Sequence, residues 1–311
     1  MIERIQSAIE WRQRYYKNVL RKKRWKLKNF LDRSGNEKVN EISIIVVGRN
    51  DNYGGDFSNR LRTSLEWNLK NIPNHELIYV EWNPVEGKDS DCLWIEKAHP
   101  KAKCYIVSRE IHQQLSTNPN IPMMEYYAKN LGFRKASKDW ILSINADICI
   151  GKDVAKNIKS ANKNKVYATH YQNMNWNGEI ITQAFLDDKN YQLQMFAADN
   201  NIAGVVGNLI FTHRDNWMKA TGYDESLSSV RAGVDSDGLK QLFSLGLRPG
   251  VLGTHFHFDH GDSMINGKPN LTHGKMELLK NRKYPYQNKE HWGLENYKET
   301  KISDRIWQLE I

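Results

Sequence analysis

Cysteine is scarce in this chain and follows no pattern. Cys92, Cys104 and Cys149 are the only three among 311 residues. An odd, scattered set with no CxxC spacing argues against a disulfide framework and points to a reducing compartment. Long apolar runs are missing too: ISIIVV at 42–47 is typical of the longest, far short of the roughly 20 residues that cross a bilayer. The N-terminus is basic but lacks the apolar stretch of a secretory signal. Excess basic charge is also absent from most of the chain. Residues 1–33 hold eleven Lys/Arg against three Asp/Glu and so carry +8 of the net +9, leaving the other 278 residues almost neutral. A uniformly basic nucleic-acid-binding domain would not look like this, and no nucleic acid partner is expected.

What is present is an ordinary globular composition, 40% apolar and 26% charged, enough for a real core. The basic segment IQSAIEWRQRYYKNVLRKKRWKLKNFL has no Pro or Gly and reads as an amphipathic helix. Two roles suit it: a solvated helix packed on the main domain or a partner, or a helix lying on an anionic membrane surface. On such a surface each basic residue adds about 1 kcal/mol. The expected setting is cytoplasmic, peripheral at the inner face of a membrane.

Past RSGNEK the pattern alternates. Apolar, β-branched runs at 42–47, 76–81, 103–108 and 140–145 are separated by helix-like segments at 56–69, 91–99 and 124–137. This predicts an α/β fold with right-handed crossovers and a mainly parallel sheet. The expected division is a helical extension over 1–38, a catalytic domain over 39–262 and a C-terminal extension over 263–311. In such sheets ligands bind beyond the carboxyl ends of the strands. Polar clusters stand there: Gly48-Arg49-Asn50-Asp51, Glu81-Trp82-Asn83, Ser108-Arg109 and Asn145-Ala146-Asp147.

THFHFDHGD at 254–262 gathers three histidines and two aspartates, and it resembles the zinc motif of metallo-β-lactamase-like hydrolases. Only about fifty residues follow His260, with His273 and His291 as the remaining histidines. That is too little chain for the second half of such a fold, and the upstream crossovers are of the wrong kind. If the segment is extended, His255 and His257 share one face and Phe256 and Phe258 the other.

Three blocks carry a different resemblance. AKNLGFRKASKDWILSINADICIG (128–151) resembles the A-R-N-x-G…[YW]-I-L-x-x-D-x-D block of GT-A-fold, family-2-type glycosyltransferases. GNLIFTHRDNWMKATGYDESL (207–227) is similar to their G-N-x-x-x-x-R…G-G-[FY]-D-E segment, and GVDSDGLKQLFSLGLRPG (233–250) to G-x-E-D-x-D-L. The resemblance covers residues 42–258 and implies a GT-A sheet and a nucleotide-diphospho sugar donor, UDP favoured. It also implies Mn2+ or Mg2+ and a glycan or lipid-linked acceptor.

Residue by residue, the resemblance makes Asp147 the metal carboxylate and sets Asn145, where the family has Asp, at the ribose or a coordinated water. Asp235 becomes the general base, with Val234 replacing a Glu, and Asp237 a helix cap. A histidine completes the metal shell, His257 favoured over His255. Glu81 accepts from the nucleobase. Gly48, Arg49, Asn50, Asp51, Lys129, Asn130, Gly207 and Asn208 complete the donor site. The alternative on a related fold is a sugar nucleotidyltransferase, which needs a Gly-rich, cationic loop after its first strand; GRNDNYGG is only faintly like that.

Overall fold

The computed structural model describes residues 35–72, 74–187, 208–230, 233–260 and 282–311, with a short strand pair at Met264–Ile265 and Lys268–Pro269. The basic segment 1–33 and Gly207 lie outside the described residues.

Each buried apolar run becomes a strand of one ten-stranded sheet. These are β1 (Ile42–Gly48), β2 (His75–Trp82), β3 (Ala102–Val107), β4 (Trp140–Ile144) and β5 (Ile148–Ile150), then β6 (Lys165–Met174), β7 (Leu209–His213), β8 (Arg248–Phe258), β9 (Lys298–Lys301) and β10 (Ile306–Glu310). Their order is β9-β10-β3-β2-β1-β4-β7-β6-β8-β5. Only β9, β7 and β5 run against the rest. The fold is thus α/β with a mainly parallel sheet.

The helices between strands cover both faces, which is why the central strands are apolar at every position rather than at alternate ones. Ile45, Val47, Ile78 and Val80 meet Ala128 and Leu131 of α4 (Glu125–Lys135). The intervening Ile44, Val46, Leu77 and Tyr79 face α1 (Phe57–Asn71) and α2 (Asp91–Ala98). Further helices are α3 (Arg109–Leu115), α5 (Lys152–Asn157), α6 (Arg214–Ala220) and α7 (Val234–Ser244).

Two features of the topology position the site. The chain runs β1, β2, β3 outward in one direction and then returns to lay β4 on the other side of β1. The carboxyl ends of β1 and β4 therefore flank a topological switch point, where open α/β sheets form their binding crevice. The long β8 then pairs with both β6 and β5, setting His257 opposite Asn173 on one side and Ile148 on the other. A residue over a hundred positions later in sequence is thereby carried to the end of β4.

Candidate active site

Asp147 follows β4 at the switch point and is 8% exposed. His257 Nε2 lies 3.5 Å and His260 Nε2 3.1 Å from its Oδ2, and the two imidazoles are 5.0 Å apart, centroid to centroid. These three side chains can each turn one ligand atom to a shared point. Burial alone would push the Asp147 carboxyl up, but His257 and His260 outweigh it and hold it well below the usual carboxylate range. Its Oδ1 is buried without a hydrogen-bond partner among the described residues. A buried, ionised oxygen left unpaired is costly unless a cation completes it.

The surroundings fit a cation as well. His257 Nδ1 lies 2.9 Å from Asn173 Oδ1, an acceptor only. With Nδ1–H donating there, and the Tyr171 hydroxyl 3.0 Å from the same nitrogen, a neutral ring would offer its Nε2 lone pair to a cation shared with Asp147. Asn173 Nδ2 in turn donates to Asp259 Oδ1 at 3.3 Å. One carboxylate with two imidazoles suits Mn2+ better than Mg2+, which prefers oxygen throughout.

His255 is not the third member. It does share the His257 face of β8, but it is fully buried, with Nδ1 2.6 Å from Thr169 Oγ1. Burial, with His257 beside it, pushes its imidazole down to about 3, so it is neutral. His260 takes that place because β8 ends at Phe258 and the Asp259 N–H donates to Met174 O at 2.9 Å. Asp259 and His260 lie outside the strand, so strand alternation no longer applies. The HxHxDH spacing was the only sign of His260 in the sequence.

The loop after β1 closes on this cluster. Gly54, at φ +64°, passes so near His260 that a Cβ there would fall 2.5 Å from its Nδ1. Buried Arg60 of α1 donates to the carbonyls of Tyr53, Gly54 and Gly55 and holds the loop down. Asp56 does not cap α1: it is left-handed and makes no side-chain capping bond.

A second cluster lies at the other end of Asn145-Ala146-Asp147. Lys129 of α4 is fully buried. Its Nζ sits 2.9 Å from Asn145 Oδ1, 2.9 Å from Asp235 Oδ1 and 2.6 Å from Glu125 Oε1. Burial opposes its charge, but Asp235 and Glu125 raise its pKa above the ordinary lysine value. Asp235 opens α7 with its side chain 23% exposed; burial pushes its carboxyl up to about 6, with Lys129 pulling down and Glu125 pushing up. Lys129 is therefore engaged with side chains rather than with a donor molecule.

Other expected donor contacts are engaged elsewhere. Glu81 is fully buried, accepting from the Ser90 hydroxyl and, at 3.1 Å, from the Asp91 N–H at the start of α2. Asn130 is fully buried and clasps the 222–225 loop through Tyr223 and Glu225. Asp237 is not a cap, because its Oδ1 is bound by Tyr284 and Arg282. Asn208 is buried, its carbonyl accepting from the Asn145 N–H at 2.9 Å. Asn50 bridges to Val85 and Asp89.

Arg49 donates to Asn83 O and Asp51 Oδ2, both at 2.7 Å, and reaches the wall of a cavity of about 700 Å3 beyond β1, β2 and β3. Arg109 and His112 of α3 line the same cavity. Trp82 Nε1 donates to His112 Nδ1 at 2.9 Å, so the neutral ring keeps its proton on Nε2. Sequence patterns gave no sign of His112, since its value depends on Trp82 thirty residues earlier.

No family model matches the chain, and no curated protein matches it. Among solved structures it is similar to TarS of S. aureus, at 17% identity and TM-score 0.45 over 71% of this chain and 37% of that one. It is similar to GalNAc-T7 with UDP, GalNAc and Mn2+, at 12% identity and TM-score 0.49 over 75% of this chain and 46% of that one. A third is the mannosyltransferase PcManGT from Pyrobaculum calidifontis in complex with GDP-Man and Mn2+, at 14% identity and TM-score 0.45 over 76% of this chain and 63% of that one. The chain spans less than two thirds of the length of each.

Proposed function

We propose that the chain is a metal-dependent, inverting glycosyltransferase that moves a sugar from a nucleotide-diphospho sugar, UDP favoured, to a hydroxyl of a glycan or lipid-linked acceptor. One observation carries this reading. The two clusters share the tripeptide Asn145-Ala146-Asp147: Asn145 touches the Lys129–Asp235 pair and Asp147 meets His257 and His260. Two residues of chain span at most roughly 7 Å. A metal-type site and a part-exposed carboxylate are thus tied to the two ends of one tripeptide at the switch point.

The chemistry follows from that pairing of clusters. The donor diphosphate lies toward Asp147, His257 and His260, with the nucleoside in the cavity lined by Arg49 and His112, a size suited to a small ligand. A divalent ion bound by the three residues would neutralise the charge gathering on the departing diphosphate. Asp235 takes the proton of the acceptor hydroxyl. The acceptor oxygen bonds the anomeric carbon as the carbon–phosphate oxygen bond breaks, its electron pair leaving with the nucleoside diphosphate. Attack from the face opposite the leaving group inverts the anomeric centre. The nucleotidyltransferase alternative needs a free cation after β1, and Arg49 is tied to Asn83 and Asp51.

The basic segment 1–33 would hold the enzyme at an anionic membrane face, where lipid-linked acceptors are found. No helix among the described residues is long and apolar enough to cross a membrane. The test is a thermal-shift panel of UDP, GDP, dTDP and CMP, each with and without Mn2+. UDP should raise Tm only with Mn2+. Asp147→Ala and His260→Ala should each weaken Mn2+-dependent UDP binding by at least about tenfold, whereas His255→Gln should keep it. If no nucleotide gives Mn2+-dependent stabilisation, the transferase reading is wrong.

A further inference from the structure

Buried lysines are rare and need a reason. The Lys129 ammonium donates to Asn145 after β4 and to Asp235 at the start of α7, and it pairs by charge with Glu125 one turn back on α4, 2.6 Å away. The Tyr223 ring lies 5.8 Å from its Nζ. Asp235 is anchored by Oδ1 alone; Oδ2 has no hydrogen-bond partner among the described residues, and the side chain keeps 23% of its surface open. One oxygen is fixed and the other is free to receive a proton.

The geometry points to Lys129 as a positioning residue that orients Asp235 and holds it ionised, with Glu125 competing for the same ammonium. The inference rests on the proposed role of Asp235 as the base. Among the described residues, the groups facing Asp235 are Lys129 and Glu125 from α4 and Tyr223 from the loop before α7, and of these only Lys129 is a cation. In the step concerned, the acceptor hydroxyl gives its proton to Oδ2 while Oδ1 stays on Lys129. The new carbon–oxygen bond forms as the bond to the diphosphate breaks.

Opposite signs make this testable. Removing the cation disfavours the charged carboxylate, so Lys129→Met should raise the Asp235 midpoint by roughly 1 to 3 pH units. Removing the competing anion should lower it, so Glu125→Gln should shift it down by about one unit. Lys129→Arg should return it toward the unsubstituted value. The readout is a carboxyl 13C NMR titration of the full chain, with the Asp235 resonance identified by its loss in Asp235→Asn.

Glu125 is part exposed, so Glu125→Gln keeps the test decisive if Lys129→Met does not fold. A midpoint that stays put in Glu125→Gln, or moves the same way in both variants, overturns the inference. The acid limb of nucleoside diphosphate release should follow the same shifts. The underlying reading fails separately: an active Asp235→Asn removes the base role whatever the titration shows.

Discussion

Asp235 and Asp147 show how two carboxylates in one crevice acquire opposite properties. Asp147 has two imidazoles and is held well below the usual range; Asp235 shares one ammonium with Glu125 and is pushed up to about 6 by burial. A base must be ionised to take a proton. Transfer should therefore be full above about pH 7 and fall as pH drops through 6, about tenfold per unit. A pH profile of sugar transfer checks this; a flat profile from pH 5 to 8 would remove Asp235 from the role. Asp235→Asn keeps an oxygen for Lys129, so it should cut transfer by roughly 100-fold or more. Mn2+-dependent UDP binding, measured by calorimetry, should change little.

The same scale shows what a linear sequence hides. Both Asp147 and His257 stand out from their neighbours, one at a strand end and one in a histidine run. Glu81 stands out equally, yet its side chain turns inward to the start of α2. Spacing locates a residue on an element but leaves its rotamer open.

At the scale of elements, the local signals worked well where burial and period agreed. The helix-like segment 124–137 becomes α4 at Glu125–Lys135, and the run 42–47 becomes β1 at Ile42–Gly48. What α4 does was less legible. Its Lys129 holds Asp235, and its next residue, Asn130, fastens the 222–225 loop that leads to α7. Asn130→Ala would strip the buried Tyr223 N–H of the acceptor lying 2.7 Å away. The expected loss is about 1 to 3 kcal/mol, read as a lower denaturation midpoint with an unchanged m-value. If stability is unaltered, the clasp is not structural.

At the scale of the whole molecule, residues far from the site close the sheet. β10 lies parallel to β3, burying Ile306 and Leu309 completely and stacking Trp307 on Tyr105 at 5.3 Å. Deleting residues 298–311 would leave β3 as an open edge, a template for pairing with other chains. Each buried aliphatic lost costs about 1.5 to 3 kcal/mol. The truncated chain should melt lower and self-associate as its concentration rises, by light scattering. A monomeric truncation with unchanged Tm would show that β10 is dispensable.

By itself the sequence determined the alternation of strands and helices, the mainly parallel sheet and the polar cluster after each strand. These follow from short-range periodicity and from the burial of both sheet faces. Tertiary structure decided which cluster members meet. The return of β4 beside β1 and the pairing of β8 with β5 bring His257 to Asp147, and the end of β8 at Phe258 lets His260 take the place of His255. The start of α7 comes within reach of α4, which makes Lys129 a partner of Asp235. Such contacts join residues about a hundred positions apart, and no period within a strand or helix encodes them.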